Sequence, residues 1–359
     1  MNQISESFLN LIRLGIDHNS SYGFTSCIDW DKIEALAIQH GLSAVLVDGV
    51  ELLPEGKRPP KEVLLQWIGE TLQGYEYRYK QYKNAIAGLA SFYNSNGFKM
   101  MVLKGYACSL DWPKPSHRPC GDIDIWLFGK QKEADVLLAK EKGIVISRGH
   151  HHHTVFGWHD FTVENHYDFI NVNRHKSHSG LEKIFKELGA DDTHSVEING
   201  EKVYLPSPSL HALFLLRHAL NHFASMGINL RQVLDWAFFI EKHSEEIDWD
   251  WFLSIIDEYH MREFFNCLNA ICVENLGIEV RFFKQVQFNP TTKEKVLNDI
   301  LAPEFSSDPP KGLFNRLSFR CRRWRGSAWK YELCYNESMW SAFWSGVKSH
   351  LLKPSIAVH

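Results

Sequence analysis

A chain of 359 residues is too long for one small domain, since single hydrophobic cores usually stop growing near ~250 residues. With 44% hydrophobic and 23% charged residues, the composition excludes disordered and collagen-like classes and reads as an ordinary soluble globular protein. A formal net charge of -4 gives no global drive toward nucleic acid or acidic membranes, so any such attraction must come from a local patch.

The N-terminus has no basic segment followed by an apolar one, and no apolar run approaches the ~20 residues that span a bilayer. A cytoplasmic location is therefore expected. Cys27, Cys108, Cys120, Cys267, Cys272, Cys321 and Cys334 are odd in number, scattered and never in a Cys-x-x-Cys pair. They are read as reduced thiols, without a disulfide framework or structural zinc.

Residues 1–96 form a predicted helical region. Over 61–96, Leu64, Trp67, Ile68, Leu72, Tyr75, Tyr79, Tyr82, Ile86, Leu89 and Tyr93 step by threes and fours along one face of a long helix. Pro59 and Pro60 precede it and Gly97 follows. Residues 97–206 change to short apolar runs: a buried strand over 99–103, a short helix over 105–110, a strand over 122–128 and an amphipathic helix over 130–142. Further strands are predicted at 155–156, 160–167 and 202–205, and His150 to His153 are read as a polar loop before one of them. Residues 207–300 return to helix, over 210–223, 230–242 and 249–276. The fold class that follows is α+β, a small mixed sheet flanked by helical regions on both sides. Residues 301–359 are a basic, Trp-rich tail. Between Lys311 and Lys330 it carries seven Lys or Arg and no acid, interleaved with Phe314, Phe319, Trp324 and Trp329. Such a mixture suits RNA or anionic lipid, but packing of the aromatics on the core is the favoured reading.

The strand over 122–128 carries the chemistry. Alternation puts Asp122 and Asp124 on one face and Ile123 and Ile125 on the other, with Leu103 and Val163 expected beside the isoleucines. Two carboxylates ~7 Å apart on a rigid strand grip hard cations such as Mg²⁺. Upstream, Val102-Leu-Lys-Gly105 ends a strand in a glycine before a helix, a geometry that aims backbone N–H groups at an anion. Arg118 has the guanidinium fork for phosphate or carboxylate. Glu164, on the strand over 160–167, supplies a third acid, and Asp168 shares its face if that strand continues. His218 and His222, four apart on a helix, are candidate cleft-lining residues together with Arg231 and Asp235.

Strand, Lys-Gly, helix, Arg, Gly-Asp-Ile-Asp and a later strand acid followed by His resemble the uncharacterised nucleotidyltransferase family of bacteria, within the polymerase-β-like superfamily. The segments at 28–37, 215–222 and 230–236 resemble its flanking helices, so the likeness covers roughly residues 28–300. It implies a metal-dependent enzyme that moves a nucleoside monophosphate from a nucleoside triphosphate such as ATP to an unknown acceptor, releasing pyrophosphate. It further implies Asp122, Asp124 and Glu164 as metal-binding catalytic acids with Mg²⁺ or Mn²⁺ as cofactor. Lys104 and Gly105 fall at the phosphate-binding turn, with Arg118 near the phosphates. Two other readings stand beside it: a non-catalytic member that binds nucleotide or a partner, and an RNA-directed transferase using the tail. Nucleic acid is the less favoured partner.

Overall fold

A computed structural model describes residues 2–16, 28–150, 152–172, 175, 177–284, 287–302, 318, 322, 325–336, 338 and 340. The N-terminal region packs α1 (Gln3–Ile16), α2 (Trp30–His40) and α3 (Ser43–Glu51) together. Helices α1 and α3 touch through Gly15 and Gly49, where an added Cβ would lie 2.2 Å from the Val45 carbonyl and 2.1 Å from that of Leu11. The long helix expected over 61–96 is continuous but not uniform: α4 (Lys61–Glu70) passes through a π-helical turn (Thr71–Tyr77) into α5 (Arg78–Ser95). Tyr82, Ile86, Leu89 and Tyr93 of the expected stripe are buried, whereas Leu72 is exposed. The wider π turn rotates the stripe there.

One mixed sheet follows, in the order β3-β4-β2-β1-β6-β5. Its strands are β1 (Met101–Val102), β2 (Ile123–Trp126), β3 (His153–Trp158), β4 (Phe161–His166), β5 (Ser195–Ile198) and β6 (Glu201–Tyr204). The helices interspersed with them are α6 (Tyr106–Ser109), α7 (Gln131–Lys142) and α8 (His178–Ala190). The architecture is α+β, as its composition of elements requires. Strands β2 and β4 run parallel, with Asp124 opposite Glu164. Strand alternation holds: Val102, Ile123, Ile125 and Val163 share one apolar cluster with α5 and α7. Leu103 does not join them. It falls with Met101 and Trp126 in the other cluster, because β1 meets β2 antiparallel with Val102 opposite Ile125, which puts Leu103 one step out of phase.

The C-terminal helices are α9 (Pro208–Ser225), α10 (Leu230–His243), α11 (Trp249–Glu258), α12 (Arg262–Glu274), α13 (Pro290–Leu301) and α14 (Ala328–Tyr335). A capping box between Asn229 and Gln232 starts α10. The single helical run expected over 249–276 is two helices, broken where His260 takes φ 56°. Residues from α1, α3, α8 to α10, α12 and α13 share one apolar cluster with the Met101, Leu103 and Trp126 side of the sheet. Most of the basic stretch from Lys311 to Lys330 lies outside the described residues. At its described end, Trp329 packs edge-on against Phe223 with ring centroids 5.6 Å apart, and buried Lys330 pairs with Asp299 at 2.6 Å. Among the described residues no helix is long and apolar enough to cross a membrane, and Cys108, Cys120, Cys267, Cys272 and Cys334 are free thiols.

Candidate active site

The site grows from the two central strands. Beyond β1, the Leu103 N–H donates to the Asp124 carbonyl at 3.0 Å, so the chain turns away at Lys104 and Gly105 directly over β2. Gly105 has φ 64° and ψ -99°, and a Cβ there would lie 2.3 Å from the Tyr82 hydroxyl. That hydroxyl in turn donates to the Asp122 carbonyl at 2.8 Å. The turn therefore requires glycine on two counts, backbone conformation and space. The helix that follows, α6, is a single turn, too short for the macrodipole contribution that a longer helix would give an anion.

Asp124 is fully buried in β2, and Asp122 stands half-exposed just before the strand. Glu164 lies opposite Asp124 on β4, and His166 follows two residues later on the same face. One donor atom from each of Asp124, Glu164 and His166 lies within 4.8 Å of the others. Asp168 is not with them: β4 ends at His166, and the Asp168 carboxylate is taken by Lys186 of α8. The Lys104 ammonium sits 3.0 Å from Asp124 Oδ1 and 4.0 Å from Asp122 Oδ2, and donates to His218 Nε2 at 3.2 Å. Lys104 thus reaches the acids directly.

Burial works against every charge here, and the partners decide the outcome. Asp124 is held well below the carboxylate range because Lys104 and His166 outweigh the desolvation. Burial and the Asp124 charge raise Asp122. For Glu164 burial is outweighed by the nearby His166, 3.7 Å away, and its carboxyl is lowered. His166 is pushed up to about 9, since its hydrogen bond to Asp124 at 3.2 Å and the nearby Glu164 carboxylate overcome its desolvation. Burial and the neighbouring Lys104 keep His218 neutral, well below the usual histidine range. The second oxygen of Asp124, Oδ2, is buried with no hydrogen-bond partner among the described residues. A buried carboxylate oxygen left in that state fits a divalent cation. The carboxylates of Asp124 and Glu164, with Asp122 at the rim, are the donor set that Mg²⁺ or Mn²⁺ prefers.

Around this cluster the cleft has two lobes, cavities of about 280 and 300 Å³ that share Lys104, Asp122, His218 and His222. Gly105, Arg118, Arg231 and Asp235 line the first, and His152, His153, Glu164 and His166 the second. Arg118 does not point a free fork at the cleft. Its Nε and Nη2 donate to the two oxygens of Asp235 at 2.7 and 2.9 Å, and Trp112 donates to the same carboxylate at 2.8 Å. Arg231 is the differently placed cation: its Nε is buried without a hydrogen-bond partner among the described residues. Burial and the Arg118 charge lower its pKa.

The description of a family of uncharacterised nucleotidyltransferases matches residues 26–277, more than half of the chain. The chain belongs to that family. No curated protein matches it. A structure titled as an antigenic nucleotidyltransferase-like protein from Paracoccidioides brasiliensis is similar at 19% identity and a TM-score of 0.32, over 44% of this chain and 75% of the other. That likeness is too distant to bear on the site.

In this nucleotidyltransferase-family chain, sequence reasoning named the carboxylates but gave no site role to His166, which entered only as part of the acid-then-His pattern, or to His152 and His153, which were read as a loop. His166 carried a signal, since it lies two residues from Glu164 and so shares its face. His153 is not in a loop: it is the first residue of β3 and is buried, because the strand starts two residues earlier than its apolar pattern suggests.

Proposed function

We propose that the chain transfers a nucleoside monophosphate from a nucleoside triphosphate to an acceptor hydroxyl, with release of pyrophosphate. The observation that carries this reading is the buried Asp124 Oδ2, which has no hydrogen-bond partner among the described residues; the strand register sets Asp124 opposite Glu164, and its Oδ1 lies 3.0 Å from the Lys104 ammonium. Asp122, Asp124 and Glu164 would hold Mg²⁺ or Mn²⁺, which when bound would offset phosphate charge. Lys104 and Arg231 supply positive charge to the first lobe, where the triphosphate is expected, and the backbone turn at Gly105 lets phosphate approach closely. In the transfer, the acceptor oxygen bonds to the α-phosphorus while the bond from that phosphorus to the bridging oxygen breaks. Glu164 would complete the metal site or accept the acceptor's proton.

The test is a thermal melt of the full chain with EDTA, with Mg²⁺, and with Mg²⁺ plus each nucleoside triphosphate. Binding at a hundredfold excess over Kd adds about 2.7 kcal/mol of stability. The double change Asp122→Asn and Asp124→Asn should abolish that gain. A parent that ignores every pair tested, or a double variant that responds like the parent, removes the assignment.

A further inference from the structure

We propose a second cation site, built from His152, His153 and His166 and closed by Glu164, that takes a transition metal of the Zn²⁺ class. It lies in the second lobe, beside the carboxylate site, and its occupation does not depend on nucleotidyl transfer. Strand pairing assembles it: His153 opens β3 directly opposite His166, the last residue of β4. His152 is fixed by its carbonyl, which accepts the N–H groups of Tyr167 and Asp168 at 3.0 and 3.1 Å. One ring nitrogen from each of the three histidines lies within 4.8 Å of the other two. The Oε2 atom of Glu164 is 3.9 Å from His153 Nδ1 and 3.7 Å from His166 Nε2, so a carboxylate faces the same point.

Donors bound to one ion at ~2.0–2.1 Å in tetrahedral geometry stand about 3.4 Å apart, so rotations of about an ångström close this set. The second contacts favour it as well. His166 Nδ1 faces the Asp168 carbonyl at 3.3 Å, which holds a proton on Nδ1, while Nε2, bonded to Asp124 at 3.2 Å, would exchange its proton for the ion. His153 Nδ1 is buried without a hydrogen-bond partner among the described residues. Three imidazoles select Zn²⁺, Co²⁺ or Ni²⁺ over Mg²⁺, whereas the neighbouring Asp122 and Asp124 offer only oxygen. The cleft therefore has an all-oxygen end and an imidazole-rich end, which share Glu164.

The experiment titrates the untagged, chelator-stripped full chain with Co²⁺ in the absence of nucleotide. The expected result is a saturable visible d–d band of four- or five-coordinate Co²⁺, removed by Zn²⁺ but not by a hundredfold excess of Mg²⁺. His152→Gln and His153→Gln should each weaken binding by about tenfold or more. X-ray absorption of the Zn²⁺-loaded parent gives a reading that needs no variant, and should show at least two imidazole rings in the first shell. A first shell of oxygen alone, or Co²⁺ affinity unchanged when both histidines are replaced, overturns the proposal. Neither measurement involves nucleotide, so its failure is distinct from failure of the transferase reading.

Discussion

Lys104 lies between Asp124 and Asp122 where a divalent ion would compete with it, and its removal separates two roles. With Lys104→Met, Asp124 remains buried beside only His166, and losing one partner of a buried pair typically costs about 3–5 kcal/mol. Unfolding in urea with EDTA should show a loss of that order, and Mg²⁺ should restore more stability to the variant than to the parent. Equal midpoints for variant and parent in EDTA would mean that the ammonium is not the counter-charge of Asp124. At this scale the aspartates were legible, because a period of two assigns Asp122 and Asp124 to one face without knowledge of the fold, whereas Glu164 was named on the family pattern and its place opposite Asp124 rests on the register of β2 with β4. The ammonium's partners were not. Whether Lys104 meets phosphate or acid depends on β1 lying antiparallel to β2, and whether Asp168 or Glu164 joins the site depends on β4 stopping at His166.

Between elements, a short turn at Pro115–His117 ties the loop before β2 to the N-terminal helices. His117 Nδ1 donates to Asp48 of α3 at 2.6 Å, and its Nε2 lies 3.2 Å from Glu76 in the π turn. Burial opposes charge on that ring, but the bonds to Asp48 and Glu76 prevail and raise its pKa. A raised histidine contributes stability that is fully present below its unfolded value of ~6.5 and is lost as pH rises through the folded value. Urea midpoints of the parent should therefore fall as pH rises above the unfolded value of ~6.5, and His117→Gln should flatten that part of the slope. An identical slope in the variant would take the clasp out of the pH response. Local signals located the long helix and the central strands, yet missed α8 and β5. Strand β5 is a half-exposed edge with little apolar pattern, although Asn199 and Gly200 at φ 51° and 85° spell out its hairpin turn. Helix α8 begins among His, Ser and Gly, and its buried face is fixed by packing: Glu182 accepts the N–H groups of Phe169 and Ile170 at 3.0 Å each. The π turn, likewise, has no signature in the spacing.

Across the whole molecule the cleft joins residues more than a hundred positions apart, Lys104 to His218 and Arg118 to Asp235, so its walls are the sheet on one side and α9 with α10 on the other. The two arginines of the first lobe divide the work differently. Arg118 is bound bidentately to Asp235, which burial raises and Arg118 more than offsets, leaving that carboxyl lowered. Removing Arg118 leaves Asp235 only the Trp112 hydrogen bond and the charge of Arg231, so Arg118→Met should lower stability by about 3–5 kcal/mol while leaving the nucleotide-linked gain largely intact. Arg231 carries the opposite expectation. Its buried Nε has no hydrogen-bond partner among the described residues, and burial together with Arg118 disfavours its charge. Arg231→Met should therefore leave the ligand-free midpoint within about 1 kcal/mol of the parent, or raise it, while removing most of the gain from Mg²⁺ and nucleoside triphosphate. Paired melts of both variants with and without ligand separate a strut from a phosphate contact, since each should move only one of the two quantities. The reverse pattern, with Arg118→Met losing the ligand response and Arg231→Met losing the fold, would return Arg118 to the phosphates, as the sequence alone suggested, and make Arg231 the structural residue.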